Sequence, residues 1–197
     1  AVTGSGSVSV NFTEYCGVQS GLALWLKADA GVTLSGTNVS IWVDQSGNYP
    51  VTQSTSGNQP TYITNDVNGM PALHFSGDQW LYNSSNLGLN SDLTIISVGM
   101  TTDLTDGEFS CYLGGGTLHS GRALGNTSGT QYFDTYGGGP TGGADLAAGI
   151  FSIDEVSLNS FLTSVGFDRN GAITGTGSVS GALNLAAGIT IGSGTNG

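Results

Sequence analysis

Side chains that do chemistry are scarce in this chain. Its glutamates are Glu14, Glu108 and Glu155, its histidines His74 and His119, its cysteines Cys16 and Cys111, and its one lysine is Lys27. Cleavage of a glycosidic bond takes two carboxyl groups flanking that bond, about 5–10 Å apart. Asp154 and Glu155 are sequence neighbours, so a strand would point them to opposite faces. No other Glu lies two or four positions away to complete such a pair. His119 and Ser120 are likewise adjacent, a spacing that rarely allows a nucleophile–base hydrogen bond, and there is no GxSxG elbow. His74, between Leu73 and Phe75, reads as an ordinary strand residue. Two histidines and two distant cysteines make no zinc site, and a lone lysine inside an apolar run makes no phosphate loop. Asp103, Asp106 and Glu108 place three carboxylates within one short turn, hard oxygen ligands that would suit calcium; a solvated acidic turn is the plainer reading of the same residues. No catalytic set emerges, so the chain reads as a non-enzyme with no cofactor other than that calcium.

Charge narrows the partners. The chain has 197 residues and a formal net charge of −11, with Lys27, Arg122 and Arg169 as its only fixed cations. Nucleic acid is excluded as an ordinary partner, because no cation cluster exists to displace counterions from phosphate. An anionic membrane surface is disfavoured for the same reason, and no apolar run reaches the roughly 18 residues of a membrane helix. The chain begins at Ala1, as a mature protein would after signal cleavage and as a trimmed chain equally would; a secreted, extracellular or cell-surface protein is the expectation. Asn11, Asn38, Asn83 and Asn126 head N-x-S/T sequons, which are glycosylation candidates in that compartment. Cys16 and Cys111 stand 95 positions apart, which excludes a CxxC motif. They are either a disulfide, within one chain or between two, or a pair of buried thiols; the secreted-looking composition favours the disulfide.

The elements that would position these residues are strands. Gly, Ser and Thr fill about two positions in five, and helical apolar periodicity is almost absent. Short apolar or β-branched runs predict strands at Leu22–Lys27, Val39–Asp44, Thr61–Thr64, Ala72–Ser76 and Leu93–Met100, then at Phe109–Leu113, Gln131–Tyr136, Ile150–Leu158, Phe161–Phe167 and Ile189–Gly192. Leu93–Met100 is apolar on both alternations and is expected in the middle of a sheet. Tyr136–Gly143 and Thr174–Gly181 are glycine-rich; the first reads as a loop and the second as a loose hairpin or connector. Many short strands spaced by turns predict one all-β sandwich. Ahead of it, in Ser5–Thr13, Val8, Val10 and Phe12 alternate with Ser7, Ser9 and Asn11, the pattern of a half-buried strand; a Gly/Ser linker is the alternative.

Several motifs follow one another in a telling order: Leu24-Trp25-Leu26-Lys27-Ala28-Asp29, Trp42-Val43-Asp44-Gln45-Ser46-Gly47-Asn48, Gln59-Pro60-Thr61-Tyr62, and Asn68-Gly69-Met70-Pro71-Ala72-Leu73-His74-Phe75. Together with Asp168-Arg169-Asn170-Gly171 and Leu183–Gly192, this series resembles the laminin G-like, concanavalin A-like lectin/glucanase jelly roll of bacterial secreted and surface proteins. The resemblance implies an N-terminal arm over 1–21 and a jelly-roll β-sandwich over 22–197. It also implies that most of these residues mark architecture: Trp25 and Trp42 fill the core, and Asp44–Asn48 and Asn68-Gly69 make turns. Such domains close with a last strand carrying an acidic residue, which is missing before Gly197. Either the sandwich is short of one strand, or the chain continues past the sequence in hand. An open slot could be filled by Val8, Val10 and Phe12 of the same chain, or by those of a neighbour, which would propagate head to tail.

The expected function is therefore a non-catalytic extracellular structural subunit that polymerises with itself by N-terminal strand donation. The alternative is a lectin-like carbohydrate-binding or adhesion module, with Trp80, Tyr82 and Tyr136 as its glycan-contacting aromatics.

Overall fold

The structure is a computed structural model, and it describes residues 20–76, 78–88, 92–100, 102, 109–115, 122–127, 130–133, 141–145, 148–159, 164–178 and 188–192; between 109 and 145 the description is of the backbone. Fifteen strands run in chain order. The first seven are β1 (Val32–Ser35), β2 (Asn38–Trp42), β3 (Val51–Thr52), β4 (Thr61–Val67), β5 (Met70–His74), β6 (Trp80–Asn83) and β7 (Leu93–Gly99). The rest are β8 (Phe109–Gly115), β9 (Arg122–Thr127), β10 (Thr130–Phe133), β11 (Thr141–Asp145), β12 (Ser152–Asn159), β13 (Ser164–Arg169), β14 (Ala172–Ser178) and β15 (Ile189–Gly192). All described pairings are antiparallel. They form an 11-stranded sheet ordered β11-β10-β9-β8-β15-β6-β3-β2-β4-β5, with β1 on β2, and a 4-stranded sheet ordered β14-β13-β12-β7. Two curled antiparallel sheets facing each other make the jelly-roll-like β-sandwich that the strand pattern predicts.

The core lies between the sheets. Val39, Val51, Leu81 and Ile189 come from the large sheet, Val156, Leu158, Val165 and Phe167 from the small one, and all are buried in one cluster. Alternation explains the choice: on β12, Asp154, Val156 and Leu158 are buried while Ile153, Glu155, Ser157 and Asn159 are not. Each large apolar side chain so buried contributes about 1.5–3 kcal/mol. A bulge adjusts β2, where Thr33 pairs with Ile41 but Leu34 with Val39, so Ser40 is the extra residue. The bulge lets Val39 and Trp42 both serve the core, although their spacing would otherwise set them on opposite faces.

Two Asn-Gly pairs fix register. Asn68 (φ 51) and Gly69 (φ 83) join β4 to β5, and Asn170 (φ 52) and Gly171 (φ 78) join β13 to β14. Both central residues of a type I′ turn need positive φ, which Asn tolerates and Gly adopts freely.

Four expectations change or are decided. Leu93–Met100 is not central among the described residues: there β7 ends the 4-stranded sheet, and its Thr94, Ile96 and Val98 are exposed while Leu93, Ile95 and Ser97 face inward. Apolar residues on both alternations signify burial only where something covers both faces. Leu22–Lys27 runs half-buried but outside the ladders, with one isolated bridge from Lys27 to Ala30, because it has no neighbouring strand among the described residues. Of the loose hairpin and the connector that Thr174–Gly181 allows, the described part, up to Ser178, follows the hairpin: Ala172–Ser178 forms β14, since the preceding I′ turn delivers it onto β13. Thr141–Gly143 belongs to β11.

Candidate functional site

Asp44 organises one end of the large sheet. It is 1% exposed, at the head of the turn after β2. Its Oδ1 accepts from the backbone N–H of Trp25 at 2.8 Å and of Ser46 at 2.9 Å. Its Oδ2 accepts from the Ser46 hydroxyl and from the N–H groups of Asn48 (3.1 Å) and Tyr49 (3.0 Å). Burial alone would push this carboxyl up, but the Ser46 hydroxyl and the backbone donors of Trp25, Ser46 and Tyr49 outweigh it and hold the pKa below the ordinary aspartate value. The same knot fastens the incoming chain: Gln45 N–H donates to Trp25 O (2.7 Å), and the Trp42 indole N–H donates to Lys27 O (2.7 Å). Lys27 lies 5.4 Å over the Trp25 ring and 3.4 Å from Asp29. With every oxygen of Asp44 occupied by a local donor, the group works as a fastener.

Asp154 is the second deep carboxylate, also 1% exposed, and it meets a cation instead. Arg169 Nε donates to its Oδ1 at 2.6 Å, across the register pair that joins β12 to β13. Ser152 Oγ donates to Oδ2 at 2.9 Å. Glu155 points the other way, as adjacency in a strand requires, so the two acids share no substrate volume.

Trp80 and Tyr82 occupy alternate positions of β6 around the fully buried Leu81, which sets both rings on the outer face of the large sheet. Their centroids are 6.3 Å apart and the rings meet edge to face at 71°. Tyr82 is flanked in register by Thr52 on β3 and Thr190 on β15, while Gly192 stands opposite Trp80. Gly192 is required there: a Cβ would come within 2.3 Å of the Phe75 ring. The rings are partly exposed, Thr52 is exposed and Thr190 is buried, so the pair offers ring surface on which an apolar face could stack.

The outer face of the small sheet is different. Ile96 and Val98 on β7 are 64% and 68% exposed, Ile153 on β12 is 52%, Ile173 on β14 is 80%, and Ile150, just before β12, is 62%. They are the most exposed large apolar residues among the described ones. Val98 lies directly opposite Ile153. One row across all four strands reads Ile96, Glu155, Asp168, Ile173.

Not every residue singled out from the sequence falls within the described part. Val8, Val10, Phe12, Asn11 and Cys16 lie outside it, as do Asp103, Asp106, Glu108, His119 and Tyr136. Cys111 lies in β8, opposite Gly125, and Asn126 lies in β9. Asn38 is half-exposed at the start of β2. Asn83 uses its amide nitrogen to donate to Pro50 O and its oxygen to accept from Ser85 N–H, so a glycan there would replace a packed contact. Among the described residues no group of three His, Cys, Asp or Glu side chains converges as a metal site, and no helix is long and apolar enough to cross a membrane. Sequence reading missed the Asp154–Arg169 pair and the exposed apolar face. The first had one signal, an arginine next to an Asn-Gly turn in a chain with three fixed cations.

No family model matches the chain, and no curated protein matches it in sequence. Among solved structures it is similar to botulinum neurotoxin type C, from work on that toxin's cell entry through two ganglioside molecules, at 13% identity and a TM-score of 0.45. That alignment covers 77% of this chain and 40% of the toxin chain, so the chain spans well under half of the toxin's length. It is also similar to the alginate lyase AlgAT5 of polysaccharide lyase family 7, at 10% identity and a TM-score of 0.36, over 80% of this chain and 71% of the lyase.

Proposed function

We propose that this chain is a non-catalytic, secreted structural subunit on a laminin G-like frame, and that it associates with copies of itself head to tail by donating its N-terminal segment, with Val8, Val10 and Phe12 as the inserted side chains. The observation that carries this reading is β7, which ends the small sheet with no partner on its far side among the described residues and leaves its Ile96 and Val98 more than half exposed. An apolar patch of this kind on a folded domain marks a surface that another molecule covers. A second copy fits the composition, since a fibre subunit needs neither a catalytic set nor a cation-rich surface.

The test is the particle mass of the full chain by light scattering across a dilution series. Particles far heavier than the 19.9 kDa chain that persist on dilution are expected, with reversion to that mass in Val10→Asp. A wild-type monomer at every dilution would overturn the reading. That result would turn attention to the glycan-binding alternative, for which the Trp80–Tyr82 pair on the large sheet is the specific observation, Trp80 and Tyr82 then being the residues to vary against soluble glycans.

A further inference from the structure

The strand-donation reading leaves the acceptor unnamed, and the described sheets offer few candidates. Strand edges left open are a pairing hazard that folded proteins blunt with charge, proline, short length or a covering element. At one end of the large sheet β5 contains Pro71, at the other β11 contains two glycines and ends on Asp145, and β1, which pairs with β2 alone, is only four residues long. In the small sheet β14 is packed against β11. β7 has none of these protections. Its seven residues, Leu-Thr-Ile-Ile-Ser-Val-Gly, carry no charge and no proline, and among the described residues nothing pairs with its far side. Antiparallel pairing uses the N–H and C=O of alternate residues, so about half of the β7 backbone groups point away from β12.

Two further observations fall at the same place. Ser97, on the inward side of β7, has its hydroxyl oxygen buried without a hydrogen-bond partner. A buried hydroxyl left without a partner is rare in a folded protein, and this one stands on the inward face of the strand, in register with Asp154 of β12. Leu24 and Leu26 pack on the same buried cluster as Leu93 and Ile95 of β7, although their own segment belongs to no ladder. Among the described residues, two apolar elements thus border the core with no strand partner on one side.

We infer that the acceptor is the open edge of β7, and that its occupant is the segment Ser5–Thr13 of a second copy of this chain. This rests on the self-association reading and gives it an address. The segment matches the site in length and in pattern. Nine residues lie against seven, with Val8, Val10 and Phe12 on the inward side beside Leu93, Ile95 and Ser97. Ser7, Ser9 and Asn11 then face outward beside Thr94, Ile96 and Val98, which leaves the Asn11 amide clear of the core.

Amide hydrogen exchange on the full chain tests this, comparing wild type with Val10→Asp and following β7 against β12 as the internal control. In wild type, alternate β7 amides should exchange roughly tenfold or more slowly than in the variant, while β12 is unchanged. A synthetic peptide of residues 5–13, added to the full-length variant, should restore that protection. Were the wild type to assemble and the variant fall apart with β7 exchange the same in both, the acceptor would lie elsewhere and this inference would fail, with the self-association reading intact. A wild-type monomer whose β7 protection still depends on Val10 would overturn the donation between copies, because the arm would then be folding back on its own sheet. Changed β12 exchange in the variant would be global destabilisation; the peptide arm then decides, and no β7 protection from the peptide would overturn the inference.

Discussion

Both sheets bury a carboxylate to the same depth, and they satisfy it by different means. At the edge of the large sheet, Asp44 is surrounded by hydrogen-bond donors that lie within five residues of it or on the incoming strand-like segment at Trp25. In the small sheet, Asp154 relies on one guanidinium fifteen positions away, delivered by a hairpin register. The first arrangement is local and many-stranded in its support; the second is long-range and has a single main support. The contrast extends outward. The Asp44 end is closed by the Trp25, Trp42 and Lys27 contacts, whereas the Asp154 sheet carries isoleucines and a valine in the open on its outer face.

Three single substitutions and one double change break or sharpen that contrast. Arg169→Met should have the largest effect, because it leaves the Asp154 carboxylate buried without its cation; a loss of about 3–5 kcal/mol in urea unfolding is expected. The double change Arg169→Met with Asp154→Leu should recover most of it, since a well-packed apolar pair can replace a buried ion pair at little cost. A small single-mutant loss would mean that Ser152 alone can hold Asp154.

Asp44→Asn should come second, at about 2 kcal/mol, because it removes the charge that strengthens several hydrogen bonds at once. Its signature is in the pH dependence. Folding lowers the Asp44 pKa, so its contribution is complete above the unfolded value of about 3.9 and drains away as pH falls through the lower, folded value. Wild type should therefore lose stability between pH 5 and acid along a steeper curve than Asp44→Asn. Parallel curves would contradict the fastener role.

Val98→Lys should have the smallest effect on the fold, within about 0.5 kcal/mol, as befits an exposed position. It should nevertheless lower the particle mass of the full chain, since it places a charge in the apolar face and beside the β7 edge. A large stability loss with unchanged association would mean that the outer face serves the monomer's own packing.

The sequence was most readable where the determinant is local. Asn68-Gly69 and Asn170-Gly171 both make the I′ turns their residue types demand, and Asp44–Asn48 makes its turn because Asp, Ser and Gly supply the bonds and the backbone freedom on the spot. Strand partners were less readable. Leu22–Lys27 has strand composition but no ladder, and β14 has connector composition but a good ladder, because pairing is decided by what lies alongside and not by the segment itself. The position of β7 failed for a related reason. Residues that are apolar on both alternations suit a central strand, and they equally suit an edge whose cover comes from elsewhere. Of the candidate site, Trp80 and Tyr82 stood out in the sequence as aromatics at alternate strand positions and are partly buried in the structure, while the Asp154–Arg169 pair depended on a register that no short window contains.

The Arg169 guanidinium also bears on resistance to digestion. A trypsin-like protease cuts only after lysine or arginine, and this chain offers three such positions in 197 residues. At one of them the side chain that the protease must draw into its specificity pocket is held by Asp154, and the bond to be cut lies at the end of β13, between that strand and its turn. Cleavage there requires the small sheet to unzip first, so the same contact that neutralises a buried acid also withholds one of the few places at which digestion could begin.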